Sequence, residues 1–238
     1  MTKVIFIGYD PREQDAFEVC AKSIVAHQSE EFKLVGVSAG TLHEHGLYQR
    51  PTERRDGVLW DVISNAPMAT EFSIARFAVP YLVRQMNVDW AMFCDCDFMF
   101  RADLASLFAE ADPRYALQCV QHQHEGGDTV KMDGQIQTSY ERKNWSSLFL
   151  LNAKHPANAA MNLAKLNSWS GRALHQFKWL EDSEIGKLSP DWNYLVGVND
   201  PNPDPRGVHF TLGIPSMEGY EYSEFADEWQ AYANGTAC

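Results

Sequence analysis

The sequence predicts an α/β fold in which helices flank a mostly parallel central sheet. Val4 to Ile7 is a short apolar run ended by Gly8, which is typical of a strand buried on both faces of a parallel sheet. A helical pattern over 12–27 and a second apolar run over 33–37 follow it. This β-α-β order is characteristic of a doubly wound sheet, and one domain spanning the whole chain is the simplest account of the pattern.

The remaining elements follow from the same patterns. Residues 40–60 are polar and mixed and are predicted to form a loop, and Pro80 is expected to kink or divide a helix over 70–86. Trp90 to Cys94 is the clearest buried strand. Further elements are predicted in the order helix 103–110, strand 115–120, turn 125–128, strand 147–151, helix 155–168, extended segments 190–196 and 208–212, and a helix capped by Ser223 that runs through Ala233.

Composition excludes some classes of partner and location. The net charge of -12 argues against a nucleic-acid partner, since phosphate backbones are bound by basic patches. The five cysteines have no disulfide-like spacing and are interpreted as reduced thiols of a cytosolic protein. The first strand starts too early for a signal peptide, and no stretch approaches the roughly 20 apolar residues that cross a bilayer. We therefore expect a cytoplasmic protein without a transmembrane segment.

Two carboxylates stand at the end of the strand Trp90–Cys94. Asp95 and Asp97 are two residues apart, so in an extended segment they point the same way and can address one hard cation. Ligands of open α/β sheets bind at the carboxyl ends of strands, where this pair is expected. Mg²⁺ or Mn²⁺ bound there would neutralise a diphosphate and help a nucleoside diphosphate to leave. The sequence therefore predicts a divalent-cation site at these two residues.

Several motifs in a fixed order resemble those of the glycogenin-like glycosyltransferases, family 8, which share the GT-A fold. The resemblance covers most of the chain, although only scattered motifs carry it. The segments that carry it are Ile5–Asp10 as the first strand and nucleoside turn, Ser73–Phe77 as the donor-side helix, Phe93–Asp97 as the Asp-x-Asp strand, Pro190–Leu195 before the final strand, and Val208–Gly213 as the closing motif.

This resemblance implies a single GT-A-type domain over 1–238 with a Rossmann-like, mixed and mostly parallel central sheet. The nucleotide-binding half would span about 1–120 and the acceptor-side half about 121–238. The implied activity is transfer of a hexose, with retention, from a nucleotide-sugar to a carbohydrate or other hydroxyl acceptor. A UDP-sugar is the favoured donor, and Mn²⁺ or Mg²⁺ the implied cofactor.

Carried over by position, the resemblance also assigns the metal and donor residues. Asp97 and His209 become the core metal ligands, and Asp95 shares the metal and reaches the ribose. Arg76 contacts the donor. Two carboxylates and a neutral imidazole are acceptable Mn²⁺ ligands and leave positions for phosphate oxygens.

The same carry-over places residues around the rest of the donor. Tyr9 or Asp10 would hold the uracil side, and Gly213 would lie near the diphosphate. Asp182 is the predicted acidic group near the anomeric carbon. His122 and His124, two apart after a strand, are candidates for acceptor contact.

The sequence departs from the family pattern after the final His. The family usually carries a diphosphate-gripping Lys in a Lys-Pro-Trp run, whereas the run 214–217 keeps only Pro215. Diphosphate binding would then rely on the metal, on backbone N–H groups, and on Arg76 or Lys143. The family's acceptor-side Asp-Gln-Asp element is matched only loosely, by residues 181–184.

Three other functions fit parts of the pattern. A haloacid-dehalogenase-type phosphohydrolase also has Asp-x-Asp after an apolar strand, but usually on its first strand. A non-catalytic sugar- or nucleotide-binding relative fits the missing Lys. A sugar-1-phosphate nucleotidyltransferase would need a Gly-rich, basic N-terminal loop that is absent here. The sequence does not specify the sugar, the acceptor or the oligomeric state.

Overall fold

The structure is a computed structural model that describes residues 3–123, 129–130, 136–137 and 142–237. The turn predicted at 125–128 and the candidate acceptor residue His124 lie outside the described residues. The strands are β1 Lys3–Gly8, β2 Phe32–Val37, β3 Thr52–Arg55, β4 Val58–Asp61, β5 Ala66–Pro67, β6 Trp90–Cys94, β7 Phe98–Phe100, β8 Leu117–Cys119, β9 Thr129–Val130, β10 Ile136–Gln137, β11 Leu148–Asn152, β12 Ile185–Lys187, β13 Tyr194–Leu195 and β14 Gly207–His209.

Short helices connect and cover these strands. The α-helices of the described residues are α1 Gln14–His27, α2 Ala39–Glu44, α3 Phe72–Ala75, α4 Val79–Arg84, α5 Leu104–Phe108, α6 Leu163–Leu166, α7 Gly171–His175 and α8 Ala226–Ala233. Among the residues described, no helix is both long enough and apolar enough to span a bilayer.

A six-stranded sheet in the order β12-β8-β11-β6-β1-β2 forms the centre of the fold. β1 pairs in parallel with β2 and β6, and β12 pairs in parallel with β8, while β11 runs antiparallel to both of its neighbours. The predicted mixed, mostly parallel sheet is therefore confirmed. β1 and β6 are buried because their apolar runs have neighbours on both sides.

Helix α1 packs against β7 and α8 through one apolar stripe. Ala16, Val19, Cys20 and Ile24 are buried and recur at three- and four-residue spacings, as expected of a helix with one face on the core. A short 3₁₀ turn, Pro11–Glu13, precedes the helix, and the Asp10 side chain caps that turn by accepting from the Arg12 N–H.

A smaller sheet in the order β13-β14-β7 extends the central one at the end of β6. The chain leaves β6, passes through residues 95–97 and enters β7, which pairs antiparallel with β14. In that register His209 faces Phe98. The last residue of β14 is thereby brought beside the two aspartates that follow β6.

The prediction of a loop over 40–60 is wrong. The segment forms α2 and the strands β3 and β4, and β5 completes an antiparallel meander with them. β3 has the sequence Thr-Glu-Arg-Arg and is exposed along its length, so it lacks the apolar alternation by which strands are recognised.

Two predicted helices are broken into shorter pieces. The 70–86 helix divides at the 3₁₀ turn Arg76–Ala78, and Pro80 lies in the first turn of α4, where its missing N–H removes no hydrogen bond. In the 155–168 segment a 3₁₀ turn ends at Ala160, and Asn162 caps the separate helix α6.

The final helix also begins later than predicted. Phe225, in the left-handed conformation, occupies the N-cap position of α8, so Ser223 is not its cap. Helix α7 and strand β12 were not predicted, because each is too short to show a period.

Candidate functional site

A cavity of about 610 Å³ opens where β1 and β6 end. Its walls come from the turn after β1, from residues 69–76, from the Asp-x-Asp segment, from residues 144–147 with His175, and from the chain after β14. The carboxyl ends of neighbouring parallel strands form one edge of the sheet, where ligands of open α/β sheets bind.

Asp95, Asp97 and His209 meet in this cavity. Each offers one ligand atom, and the three atoms lie within 4.8 Å of one another. Backbone hydrogen bonds fix the segment, because the Asp95 N–H donates to Ser147 O (2.9 Å) and the Phe210 N–H donates to Asp97 O (3.0 Å). The structure therefore brings together the three residues predicted as metal ligands.

The chemistry of this group fits a divalent cation. His209 Nδ1 lies 2.9 Å from Asn193 Oδ1, and the Asn193 amide donates to Ser147 Oγ (2.9 Å). An amide oxygen only accepts, so Nδ1 carries a proton, and Nε2 is the ring nitrogen that can bind a metal ion. That Nε2 lies 3.3 Å from Asp97 Oδ1, so two acceptors face each other unless a proton or a cation joins them. Two carboxylates and an oriented imidazole suit Mn²⁺ or Mg²⁺.

Asn193 is expected to orient His209 for the metal. Replacing Asn193 with Leu should weaken Mn²⁺ binding by about 10- to 100-fold, because the ring loses the acceptor that fixes its tautomer. Asn158→Leu is the matched control, since both asparagines are fully buried but Asn158 bonds to Ala116 O and Asn152 O. Electron paramagnetic resonance titration of Mn²⁺ measures both affinities. Equal affinities in the two variants would contradict the assignment.

Arg76, the predicted donor contact, is held against Asp95. Its Nη1 lies 2.6 Å from Asp95 Oδ1 and donates to Ser146 O (2.9 Å), and its Nε donates to Ser73 O (3.1 Å). Burial raises the pKa of Asp95 to about 6, with the Asp97 charge adding to the rise and Arg76 opposing it. Arg76 lines the cavity, and its charge offsets part of the acidity of the metal group.

Glu13 is a further acidic residue of this cavity that the sequence did not indicate. Its carboxyl accepts from the Cys96 thiol (Sγ to Oε2 3.1 Å). Burial, with the Asp97 charge, raises the pKa of Glu13 to about 7, and burial also raises the pKa of Cys96. The middle residue of the Asp-x-Asp motif is thus a protonated thiol that donates a hydrogen bond to Glu13.

Tyr9 and Asp10, predicted at the uracil side, do not line the cavity. The Tyr9 hydroxyl donates to Gln14 Oε1 (2.9 Å), and its ring packs edge-on against Phe17. Asp10 is buried; burial raises its pKa, but hydrogen bonds from Arg12 and from the Glu71 N–H outweigh this and hold the pKa below its usual value. Arg12 takes their place as a lining residue.

Gly213, predicted to lie near the diphosphate, lines the cavity. A Cβ at this position would lie 2.5 Å from the Tyr220 ring, so glycine is required for Tyr220 to pack here. Asp182 lies elsewhere. Its side chain is 92% exposed, pairs with Arg142 and lines a separate cavity.

His175, at the end of α7, also lines the cavity, and the sequence analysis did not identify it as a site residue. Its Nδ1 lies 2.7 Å from Ser146 Oγ, and its ring packs edge-on against Phe77. Burial and then the nearby Arg76 charge lower its pKa to about 3, so the ring is neutral. No periodic pattern marks α7, so nothing placed this residue near the site.

Two tryptophans of the segments around the site make contacts within the protein and do not line the cavity. Trp192 is fully buried, and its Nε1–H donates to Glu110 Oε1 (2.7 Å). Trp145 donates to His122 O (3.0 Å) and packs under the Arg142 guanidinium. His122 and Lys143 are absent from the lining of the cavity that holds Asp95, Asp97 and His209.

Comparison with known proteins gives one related sequence and a set of similar folds. No protein-family model matches the chain. Over 230 residues it is 41% identical to Protein CDI of Arabidopsis thaliana, an alignment that covers 94% of this chain and 83% of that protein.

The similar folds are those of glycosyltransferases. The bifunctional glycosyltransferase WbbM superposes with a TM-score of 0.64 at 16% identity, over 98% of this chain and 49% of WbbM. GlyE of Streptococcus pneumoniae TIGR4 gives 0.59 at 15% identity, over 98% of this chain and 61% of GlyE. The galactosyltransferase LgtC, in complex with donor and acceptor sugar analogues, gives 0.61 at 15% identity, over 98% and 95%. The chain belongs to the family of Arabidopsis thaliana Protein CDI and has the GT-A fold of these glycosyltransferases.

Proposed function

We propose that this chain is a metal-dependent glycosyltransferase that transfers a hexose, with retention, from a UDP-sugar to a carbohydrate or other hydroxyl acceptor. The observation that carries the proposal is the Asp95, Asp97 and His209 group inside a cavity at the carboxyl edge of a GT-A sheet. The solved structure of LgtC, which has this fold, contains donor and acceptor sugar analogues, and that supports a similar pair of substrates here.

The cavity is acidic, and this is why the proposal includes a cation. Its lining includes four acidic side chains and two arginines, and both arginines are already engaged, Arg76 with Asp95 and Arg12 with Asp10. When bound, Mn²⁺ or Mg²⁺ would supply the positive charge that a diphosphate needs in order to bind and leave. The chain after β14 has no Lys between Gly213 and Glu218. Diphosphate binding therefore depends more heavily on the metal ligands and on backbone N–H groups of this segment.

Besides offsetting acidic charge, Arg76 positions Asp95. Because its guanidinium contacts Asp95 Oδ1 and the Ser146 carbonyl at once, it holds the first aspartate against the 144–147 wall. His175, neutral and held by Ser146, contributes a polar ring to the same wall. We propose that this wall positions the transferred sugar, and that no residue of it needs to change its charge during transfer.

The phosphohydrolase alternative is less well supported. It would use Asp95 as a nucleophile, but this carboxylate is in contact with Arg76 and largely buried. The motif also follows β6 in the interior of the sheet rather than the first strand. The fold is the one found in glycosyltransferases.

Turnover of UDP-sugars tests the proposal. UDP-glucose and UDP-galactose are incubated with the protein in Mn²⁺ or in a chelator, and the released UDP and the anomer of the released sugar are followed by NMR. We expect slow UDP release with Mn²⁺ only, and initial release of the sugar in the donor's anomeric configuration. Release of inorganic phosphate from a phosphate monoester, with no UDP from either sugar nucleotide, would support the phosphohydrolase instead.

A further inference from the structure

Three apolar side chains of the segment after β14 line the cavity that holds Asp95, Asp97 and His209. Leu212 is 38% exposed, Met217 is 39% exposed, and Tyr220 is half-buried. We call these three side chains the apolar lip. Large apolar side chains that stay exposed on the wall of a cavity offer contact surface to a ligand.

Tight turns and packing hold the apolar lip in place. The Met217 N–H donates to Ile214 O (2.9 Å), and the Tyr220 N–H donates to Met217 O (3.1 Å). The Tyr220 ring lies directly on Gly213, where a Cβ would come within 2.5 Å of it. The lip is therefore already formed in the free protein, and a ligand that binds there does not have to order its backbone.

The apolar surface continues into a neighbouring cavity of about 190 Å³. The two cavities share four lining residues, namely Phe210, Leu212, Gly213 and Tyr220. The Leu212 side chain lies over Gly197, where a Cβ would be 3.5 Å from Leu212 Cδ1, and Val196 adds to the same wall. A cavity of about 150 Å³ can hold benzene, so this one has room for an aromatic ring.

The acceptor is the substrate that must reach this surface. The reacting carbon of the donor sugar is bonded to the diphosphate, and an acceptor oxygen must come within about 3–3.5 Å of that carbon. Leu212 follows the proposed metal ligand His209 by three residues, and the Phe210 N–H donates to Asp97 O (3.0 Å), so the lip borders the metal group. The wall at 144–147 is already assigned to the transferred sugar.

The chain around the apolar lip is acidic. From Thr211 to Glu228 it has five carboxylates and no Lys or Arg, and Glu218 itself lines the cavity. Sugar phosphates and membranes rich in anionic lipid are attracted by basic groups, so this segment would repel both of them. The charge and the apolar surface together favour an uncharged ligand with an apolar group.

We propose that the acceptor is an uncharged glycoside or alcohol with an aryl or alkyl group, and that the apolar lip binds this group. The inference rests on the proposed function and names its acceptor class. In the transfer, the acceptor oxygen bonds to the anomeric carbon, the bond from that carbon to the diphosphate breaks, and the hydroxyl proton passes to the departing UDP. The lip takes no part in these bonds and acts on the affinity for the acceptor.

The test compares phenyl and methyl β-D-glucoside, which differ only in the aglycone, by ligand-observed NMR with UDP and Mn²⁺ present. We expect the wild-type protein to bind the phenyl glucoside at least about tenfold more tightly, since burial of an apolar ring is worth at least that much. Because Mn²⁺ is paramagnetic, it should broaden the signals of the bound phenyl ring, and Mg²⁺ should not.

A matched pair of double variants locates the effect. In Leu212→Ser/Met217→Ser the affinities for the two glucosides should agree within about threefold. Val25→Ser/Val62→Ser removes two valines that are 52% and 41% exposed and do not line the cavity, and it should keep the wild-type preference. All four side chains are exposed, so both variants should fold, and thermal melting checks this.

The inference is overturned if the wild-type protein binds both glucosides equally or does not bind the phenyl glucoside, or if Leu212→Ser/Met217→Ser keeps the preference. Sedimentation with phosphatidylcholine vesicles that this variant loses would assign the surface to a membrane and overturn the inference as well. The wild-type comparison decides alone if a variant does not fold. Failure of UDP itself to bind in Mn²⁺ is a separate result, which contradicts the proposed function.

Discussion

Asp97→Asn should lower the Mn²⁺-dependent affinity for UDP by more than about 100-fold. Loss of a residue that only hydrogen-bonds to a metal ligand costs about 10- to 100-fold in metal affinity, and loss of a ligand itself should cost more. The amide keeps the shape of the side chain but loses the charge that, with Asp95 and His209, would hold the cation. Calorimetric titration of UDP in Mn²⁺ measures the loss.

The matched control is Asp89→Asn. Asp89 directly precedes β6 at its amino end and pairs with Lys154, so the same substitution is made at the opposite end of the same strand. We expect wild-type UDP affinity in this variant. Unchanged UDP binding in Asp97→Asn, or equal losses of affinity in the two variants, would contradict the assignment of Asp97 as a metal ligand.

Arg50→Ala should lower the free energy of unfolding by about 3–5 kcal/mol, the cost of breaking a buried ion pair by removing one partner. Arg50 and Asp61 are 0% and 1% exposed, with Nε to Oδ1 at 2.9 Å. Arg50 Nη1 also donates to Leu166 O (2.6 Å) and Trp169 O (2.8 Å), so it links Asp61 of β4 to the last residue of α6 and to the chain that follows. Removing it leaves the buried Asp61 carboxylate without its cation, with only the Ser64 N–H and hydroxyl as donors, and takes the side-chain donor from two carbonyls.

Urea denaturation followed by circular dichroism measures this change. Arg114→Ala, which removes an exposed arginine paired with Asp112, should leave the unfolding midpoint unchanged. An unchanged midpoint in Arg50→Ala would contradict the prediction, because removal of one partner should leave the charge of Asp61 buried and uncompensated.

The central part of the fold could be predicted because its strands are continuous apolar runs. β1, β2, β6 and β11 lie within a residue or two of their predicted bounds, and α1 shows a clear helical period. β3 could not be predicted, since its charged, exposed residues have no buried face to alternate with. Short elements such as α7 are set by tertiary packing rather than by a local period.

The candidate site likewise contains residues that the sequence could identify and residues that it could not. Asp95 and Asp97 follow a recognisable strand, and their spacing indicates a cation site. His209 was assigned by the family resemblance alone, and the pairing of β14 with β7 is what places it beside them. Asn193 belongs to a segment already noted in the sequence, but its role depends on a contact with His209 that no sequence pattern specifies.

The placement of the remaining predicted residues depended on side-chain orientation. The Asp10 carboxylate is hydrogen-bonded within its own turn, and the nearby Arg12 lines the cavity instead. Asp182 belongs to a different cavity, because the segment 182–184 forms a 3₁₀ turn next to the edge strand β12. The positions of Asp10 and Asp182 both depend on side-chain contacts that no sequence pattern specifies.

Calorimetric titration of UDP into the wild-type protein, with Mn²⁺ and with a chelator in its place, decides whether the cavity binds a nucleotide through a metal ion. We expect saturable UDP binding that requires Mn²⁺, because the acidic cavity can accept a diphosphate only with a cation on Asp95, Asp97 and His209. UDP binding that is equally tight in the chelator, or no binding in saturating Mn²⁺, would contradict it.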